Sequence, residues 1–222
     1  MMKRLASTLL WAAICLGLLC GTAHADALDR FTGHWEIQNV ALGGYTVGAK
    51  SAGLDMTAVF ESDGLCILNI NGAIGAGYIS GFGSDYYLED GESAIRLSFD
   101  TQGRLHVHIP TDDEDMPLDV RMRRAAAPEI SSRLSAYQGE WTLLSDDAEV
   151  YGDVTMRLYA DGYGVLFKAD DLYALRLGTR AGKPALIDDT GDVMAITEEG
   201  DGVISFTISI DDEACTLHMR KD

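Results

Sequence analysis

The chain has 222 residues, of which 47% are hydrophobic, so it is long and apolar enough to build a sizeable core. It carries 35 acidic against 17 basic residues, which gives a formal net charge of −18. An acidic surface of this kind repels the phosphates of nucleic acids and anionic lipid headgroups. We therefore expect neither nucleic acid nor an anionic membrane surface as a partner.

The first 25 residues have the pattern of a cleaved signal peptide. A positive start at Lys3-Arg4 is followed by an apolar stretch from about Leu9 to Leu19 and by the small-x-small site Ala23-His24-Ala25. The stretch is shorter than the roughly 20 residues that span a bilayer. We predict cleavage after Ala25 and a secreted or periplasmic protein without an integral membrane segment. The mature chain then keeps 15 basic and 35 acidic residues, a formal charge of −20.

Two of the four cysteines belong to the signal peptide. The bulky Leu19 before Cys20 argues against a lipoprotein, since the residue before a lipidated cysteine is normally small. Cys66 and Cys215 remain in the mature chain. An oxidising compartment permits a bridge between them, but two separate buried thiols are the alternative we favour.

The rest of the sequence contains an internal repeat. Five landmarks recur in the same order, and their offset drifts only from 106 to 97 residues. The matched pairs are Leu28–Glu36 and Leu134–Thr142, Asp55–Gly64 and Asp153–Gly162, Leu105–Ile109 and Ile204–Ile208, Asp112–Glu114 and Asp211–Glu213, and Met122–Arg124 and Met219–Lys221. We predict a first domain over 26–124, a linker over 125–130 and a second domain over 131–222.

Each copy alternates apolar and polar residues with a period of two, which is typical of strands with one buried face. Met56, Ala58 and Phe60 share one phase, and each copy then has an Asp-Gly turn that favours a hairpin, at Gly64 and at Gly162. A helical turn is expected only before each Gly-x-Trp, around 27–30 and 131–136. The fold class is therefore all-β: six to eight short strands per copy predict two tandem small antiparallel β-barrels or rolled sheets, each preceded by a short helical turn.

At Phe31-x-Gly33-x-Trp35 and Tyr137-x-Gly139-x-Trp141 the sequence resembles the bacterial lipocalin-like domains of exported proteins. The resemblance implies that Trp35 and Trp141 plug one end of a barrel and that Gly33 and Gly139 open its first strand. Domains of that family often occur in tandem and mostly have no assigned activity. Barrels this small are filled by their own side chains or hold one small ligand.

The sequence lacks a recognisable catalytic arrangement. Ser80 does not stand in the Gly-x-Ser-x-Gly pattern of a nucleophile elbow. His106 and His108 share the outer face of a strand and would bind a transition metal if a third ligand came from a neighbouring strand, such as Asp119. The nearby Arg121 argues against a cation, so solvated histidines, no metal and no cofactor are predicted. The acidic turns at 112–115 and 211–213 do not match a calcium loop, and we expect solvated hairpin ends there.

Features found in the first copy alone are the better candidates for function. That copy has eight extra residues around Leu42–Tyr45 and a glycine-rich stretch from Asn71 to Tyr87. Aromatic side chains on such segments suit binding, and we predict a ligand or partner surface formed by Tyr45, Tyr78, Phe82 and Tyr86 at one end of the first barrel. We expect an exported, non-catalytic binding module for an unknown small apolar ligand or protein partner. The alternatives are an inhibitor of an exported protease or lysozyme and a carrier of a small apolar ligand.

Overall fold

The computed structural model describes residues 28–82, 84–89, 94–110, 118–210 and 213–222, with the side chain of Phe82 outside the description. The predicted signal peptide and most of the two acidic turns lie outside these residues. The described residues contain the short helices α1 (Ala49–Ala52), α2 (Ser132–Ser135) and α3 (Ser145–Tyr151). In the described part of the chain, no helix has the length and apolar character needed to cross a bilayer.

The first half of the chain forms a closed antiparallel barrel. Its strands are β1 (Gly33–Leu42), β2 (Tyr45–Gly48), β3 (Met56–Phe60), β4 (Leu65–Ile70), β5 (Ala73–Phe82), β6 (Asp85–Glu89), β7 (Ala94–Phe99), β8 (Leu105–Ile109) and β9 (Leu118–Ala125). Eight of them follow one another round the ring, which closes where β1 pairs with β9. The ninth, β2, forms a hairpin with the end of β1 and pairs with no other strand in the described sheet.

The second half forms a barrel that is nearly closed. Its strands are β10 (Gly139–Leu143), β11 (Val154–Leu158), β12 (Tyr163–Lys168), β13 (Asp171–Arg180), β14 (Lys183–Ile187), β15 (Val193–Ala195), β16 (Thr197–Gly200), β17 (Val203–Ile210) and β18 (Glu213–Lys221). The single strand β7 of the first barrel is replaced by β15 and β16, of which one pairs with β14 and the other with β17. The prediction of two tandem antiparallel β-barrels is thus confirmed, and β9 continues through Ala125, the first residue of the predicted linker.

One end of each barrel, the tryptophan end, is plugged by equivalent residues. Trp35 is 1% exposed, and its Nε1 donates a hydrogen bond to the Phe31 carbonyl at 2.6 Å. Trp141 is 3% exposed and donates to the Tyr137 carbonyl at 2.9 Å. A basic side chain from the last strand lies over each indole, and its charged group is 4.7 Å from the ring centroid for Arg124. In the second barrel Lys221 lies 5.8 Å from the ring centroid.

The glycine of each Gly-x-Trp is required by this plug. Gly33 and Gly139 have φ angles of +116° and +125°, which side chains rarely adopt. A Cβ atom on Gly33 would lie 3.1 Å from the Arg124 guanidinium, and one on Gly139 would lie 3.0 Å from Lys221 Cε. Both the backbone angle and the overlying basic residue therefore favour glycine.

Both interiors are packed with apolar side chains. Met56, Ala58 and Phe60, which are predicted to face inward, are at most 2% exposed, and Val120 and Met122 of β9 are fully buried beside them. In the second barrel Leu217 and Met219 are fully buried. Cys66 and Cys215 are both buried, free thiols, and burial raises the pKa of the Cys66 thiol. The two cysteines therefore do not form the bridge considered above.

The two barrels pack against each other through equivalent outer faces. Leu65 and Ile67 of β4 and Val165 of β12 are at most 1% exposed and form one small core between the barrels. Tyr163 occupies in β12 the position that Leu65 holds in β4, and its hydroxyl accepts a hydrogen bond from Asn69 Nδ2 at 3.1 Å.

Contacts between polar and charged side chains flank the small core between the barrels. His34 Nε2 lies 3.3 Å from Asp161 Oδ2. At the equivalent place Arg157 contacts both Asp63 of the first barrel and Glu140 of the second, each at 3.0 Å. The interface thus combines an apolar centre with charged edges.

Candidate functional site

The aromatic residues predicted to form one binding surface lie in different places. Tyr45 is 82% exposed on the β1–β2 hairpin, and Tyr78 is 43% exposed on β5. Tyr86 is only 6% exposed, and its ring packs edge-on against Phe31 in the core with centroids 5.0 Å apart. The assignment of Tyr86 to a surface is therefore wrong, because its phase along β6 points into the barrel. The backbone of Phe82 pairs with Asp85, and its side chain lies outside the described part of the chain.

The topology also separates Tyr45 from the β5–β6 turn. Successive turns of an up-and-down barrel alternate between its two ends, so the turn after Phe82 lies at the tryptophan end. The turn of the β1–β2 hairpin lies at the other end, which we call the hairpin end. A single surface that joins Tyr45 to Phe82 and Tyr86 is therefore excluded.

The glycine-rich stretch is a strand rather than an adaptable loop. β5 runs from Ala73 to Phe82 and pairs with β6 at close range. A Cβ atom on Gly77 would lie 2.4 Å from the Glu89 carbonyl oxygen, and one on Gly81 would lie 2.2 Å from that of Asp85. The glycines allow this approach of the two strands, so their role is in packing.

The β1–β2 hairpin is the most exposed apolar feature of the described chain. Leu42, Tyr45 and Val47 are 46%, 82% and 47% exposed. Tyr45 lies opposite Leu42 in the hairpin register, and Val47 lies opposite the buried Val40. Cross-strand partners share a face, so the apolar face of the barrel interior continues onto the projecting hairpin.

The hairpin end of the barrel is apolar around the hairpin as well. Five partly buried residues at strand ends pack against the core there, and we call them the apolar rim: Leu54, Ile70, Ile95, Ile109 and Leu118. Both the apolar rim and the exposed face of the hairpin are thus apolar surfaces at this end of the barrel. Such surfaces mark sites of interaction with proteins or apolar ligands.

A second candidate lies on the outer face of β8 and β9. His106 Nδ1 is 3.0 Å and His108 Nδ1 is 3.6 Å from the same oxygen, Oδ1 of Asp119. The three side chains, which we call the histidine cluster, are 15%, 28% and 21% exposed. The expectation of solvated histidines is therefore wrong, since both rings are largely covered and paired with a carboxylate.

Further polar groups surround the histidine cluster. Ser98 Oγ lies 2.8 Å from His108 Nε2, and Asp100 Oδ2 lies 3.6 Å from His106 Nε2. Arg121 Nε donates to the other oxygen of Asp119 at 3.2 Å. The sequence pattern indicated the two histidines and Asp119, but Ser98 and Asp100 emerge only from the pairing of β7 with β8.

The surroundings of the histidine cluster favour the neutral form of the His108 imidazole and the ionised form of the Asp100 carboxylate. Burial, opposed by the charge of Asp119, lowers the pKa of His108. Hydrogen bonds from the Arg104 amide and side chain and from the Gln102 amide lower the pKa of Asp100. Neutral imidazoles and ionised carboxylates are the forms that coordinate metal ions.

Other polar features of the described chain do not assemble a reaction centre. Ser80 Oγ donates to Glu89 Oε1 at 2.5 Å on an exposed surface, away from the described histidines. An open groove of about 720 Å³ lies beside β15, between Arg180, Asp192 and Thr207. It marks the place where the seventh strand of the second barrel is split.

No protein family matches the sequence, and no similar curated protein was found. What the structure itself establishes is the architecture, an all-β chain of two tandem barrel-shaped sheets.

Proposed function

We propose that the protein is an exported, non-catalytic binding module of the lipocalin-like type, which holds a protein partner at the hairpin end of its first barrel. The observation that carries the proposal is the exposed apolar face of the β1–β2 hairpin, formed by Leu42, Tyr45 and Val47. This hairpin is absent from the second barrel, where α3 occupies the corresponding part of the chain. A feature that the barrel fold does not need is a better candidate for function than one that both copies share.

The hairpin suits an extended protein segment. In the described sheet β2 pairs only with β1, so its outer edge leaves backbone donors and acceptors free to pair with another strand. Added strands gain affinity from main-chain hydrogen bonds and specificity from side-chain contacts. The apolar rim, at the same end of the barrel as the hairpin, supplies the side-chain contacts. The chain is strongly acidic, which favours a partner with basic residues around an apolar centre.

The packed interiors favour this function over a carrier. Leu105, Val107 and Val120 fill the first barrel at 1% exposure or less. A carrier of a small apolar ligand needs an internal cavity that its own side chains do not fill. The alternative of a hydrolase inhibitor draws on the same hairpin, because a projecting turn with an exposed Tyr45 can enter a substrate cleft.

The proposal is tested by changing the apolar face of the hairpin. In a triple variant, Leu42→Ser, Tyr45→Ser and Val47→Ser, we expect an envelope partner captured by the wild-type chain to bind at least tenfold more weakly in a pairwise measurement. The matched control is Val150→Ser, which removes the 72% exposed apolar side chain of α3 in the second barrel.

Binding that is unchanged in the folded triple variant, or equally weakened by the control, would contradict the assignment. Titration of the wild-type chain against a panel of exported proteases and lysozymes distinguishes the inhibitor. Loss of their activity would show that the hairpin acts as an inhibitor of such an enzyme rather than as a general binding module.

A further inference from the structure

The histidine cluster has the separations of a metal site. One ligand atom from each of His106, His108 and Asp119 lies within 4.8 Å of those of the other two. Two ligands at ~2.0–2.1 Å from a tetrahedral zinc ion are about 3.3 Å apart. The distances of 3.0 and 3.6 Å from Asp119 Oδ1 to the two Nδ1 atoms lie on either side of this value.

The outer nitrogens of the two rings also have the surroundings of metal-bound histidines. A metal-ligating histidine commonly donates its other N–H to a carboxylate, carbonyl or hydroxyl, which fixes the tautomer. His108 Nε2 already lies 2.8 Å from Ser98 Oγ. His106 Nε2 is buried and makes no hydrogen bond, although Asp100 Oδ2 is 3.6 Å away. A metal at Nδ1 would place the proton on Nε2, where Asp100 can accept it.

Arg121 does not close the site to a cation. Its Nε donates to Oδ2 of Asp119, whereas Oδ1 faces the two imidazoles. The arginine thus orients the carboxylate and leaves one oxygen for coordination. Two other charged residues lie near the histidine cluster. The acidic Asp100 is paired with Arg104 at 2.6 Å, and the basic Arg96 lies opposite His108 in the strand register.

The donor set points to one class of metal. Two imidazole nitrogens and one carboxylate oxygen suit zinc and its first-row neighbours, whereas calcium and magnesium prefer oxygen ligands alone. Three protein ligands leave a fourth position of a tetrahedral ion for water. The second barrel has Ser205, Thr207 and Thr216 at the corresponding positions, and the two threonine hydroxyls bond to each other at 2.9 Å.

We infer that the outer face of the first barrel binds a divalent transition metal ion of the zinc class through His106 Nδ1, His108 Nδ1 and Asp119 Oδ1. This site is separate from the proposed partner surface at the hairpin, and either assignment can hold without the other. The barrel supplies the rigidity that the site needs, because both histidines stand on β8 and the aspartate stands opposite His108 on β9.

Calorimetric titration of Zn²⁺ into the full two-barrel chain, freed of metal and carrying no polyhistidine tag, tests the inference. One Zn²⁺ should bind per chain, and His106→Gln, His108→Gln and Asp119→Asn should each weaken binding by at least tenfold. Asp100→Asn, which removes the carboxylate behind His106, should weaken it by about tenfold. Replacement of Zn²⁺ by Co²⁺ should give the visible absorption of a tetrahedral site.

His218→Gln is the matched control. His218 lies in the second barrel beside two carboxylates, 2.8 Å from Asp147 Oδ2 and 3.5 Å from Glu199 Oε1. This variant should bind Zn²⁺ like the wild type. The inference is overturned if the wild-type chain has no saturable site, if the three ligand variants bind Zn²⁺ unchanged, or if His218→Gln loses binding equally. Circular dichroism confirms that each variant is folded.

Discussion

The two barrels share their tryptophan ends and differ at their opposite ends and on part of their outer faces. Both have an indole that donates to the carbonyl four residues before it, a glycine with positive φ two residues before the indole, and a basic residue over the ring. Both also have the same turn, in which the amide two residues after the aspartate donates to Asp63 or Asp161. The histidine cluster and the β1–β2 hairpin belong to the first barrel alone.

We propose that the residues shared by the two copies build the barrel and that the residues found in the first barrel alone carry its function. The second barrel tolerates a split seventh strand at β15 and β16, so a closed ring of strands is not itself required. The comparison predicts that changes at the shared positions affect stability in both barrels, whereas changes at the unshared positions affect binding.

The largest effect is expected at the two tryptophans. Trp35→Ala and Trp141→Ala should each lower the free energy of unfolding of their own barrel by about 3–5 kcal/mol, since each removes a buried indole and leaves a cavity. The sequence has one further tryptophan, Trp11 in the predicted signal peptide, so the measurement uses a chain that begins at Asp26 and contains only these two. In each variant the remaining indole therefore reports on the other barrel by fluorescence, while circular dichroism in urea follows both. A loss below about 1 kcal/mol in either barrel would contradict an equivalent plug.

A smaller loss is expected at the glycines before them. Gly33→Ala and Gly139→Ala force a side chain into a positive φ angle and towards the overlying basic residue. The expected cost is about 1–3 kcal/mol in each barrel, measured by urea unfolding. Gly43→Ala, in the turn of the hairpin, serves as a comparison, since it changes a positive-φ glycine that lies outside the plug. If Gly33→Ala proves neutral, the barrel adjusts at this position without strain.

The basic residues over the indoles should show a graded effect. Arg124→Ala should cost about 1 kcal/mol and Lys221→Ala about half as much, because cation–π attraction at exposed sites is of this size. Arg124 is closer to its ring and also donates to the carbonyls of Arg30 and Thr32, whereas Lys221 donates to that of Ala136. Thermal unfolding of the two variants compares the two losses of stability. A loss in Lys221→Ala that equals or exceeds the loss in Arg124→Ala would contradict the geometric argument.

The last expected effect is confined to alkaline pH. The first barrel has Phe31 where the second has Tyr137, whose hydroxyl donates to Glu198. Burial and this hydrogen bond raise the pKa of Tyr137 from its usual value of about 10 to about 12. The folded state then holds a proton that the unfolded state releases, so this contribution is complete below pH 10 and is lost as the pH rises towards 12. Between pH 10 and pH 12 the free energy of unfolding of Tyr137→Phe should fall less steeply than that of the wild type. The difference in slope corresponds to at most one proton released on unfolding.

Tyr45→Phe on the exposed hairpin is the control for this measurement, and it should leave the alkaline profile unchanged. A profile of Tyr137→Phe that matches the wild type in urea unfolding from pH 9 to pH 12 would show that Tyr137 does not contribute in this way.

The fold could be predicted from the sequence because the repeat supplies two examples of each signal. The alternation of Met56, Ala58 and Phe60 fixes which residues enter the core, and the Gly-x-Trp motif marks the start of each barrel. The sequence indicates the contact between the barrels less clearly. Val59 has the outward phase but is only 3% exposed. The run Leu65–Leu68 is apolar on both faces of β4, a pattern typical of a strand buried on both sides.

The candidate sites were harder to predict because they depend on register and phase. Aromatic character groups Tyr86 with Tyr45, although the alternation of Tyr86 with Leu88 places it inside the barrel. Asp100 reaches His106 from the turn after β7, and the second copy gives no guide to that turn because its seventh strand is split. The sequence indicates Asp119 as a neighbour of the histidines, but only the structure shows that Arg121 contacts one carboxylate oxygen while the other faces the two imidazoles.

The equivalence of the two contacting faces has a consequence for how the chain is held together. A surface that meets its own counterpart is the geometry of a two-fold homodimer, here with both subunits on one polypeptide. The few residues between β9 and α2 keep the barrels at an effective concentration that is roughly millimolar for short linkers. A contact too small to hold separate subunits together at cellular concentrations would therefore suffice within the fused chain. Such tethering leaves the surfaces of the two halves free to diverge, as they have done here.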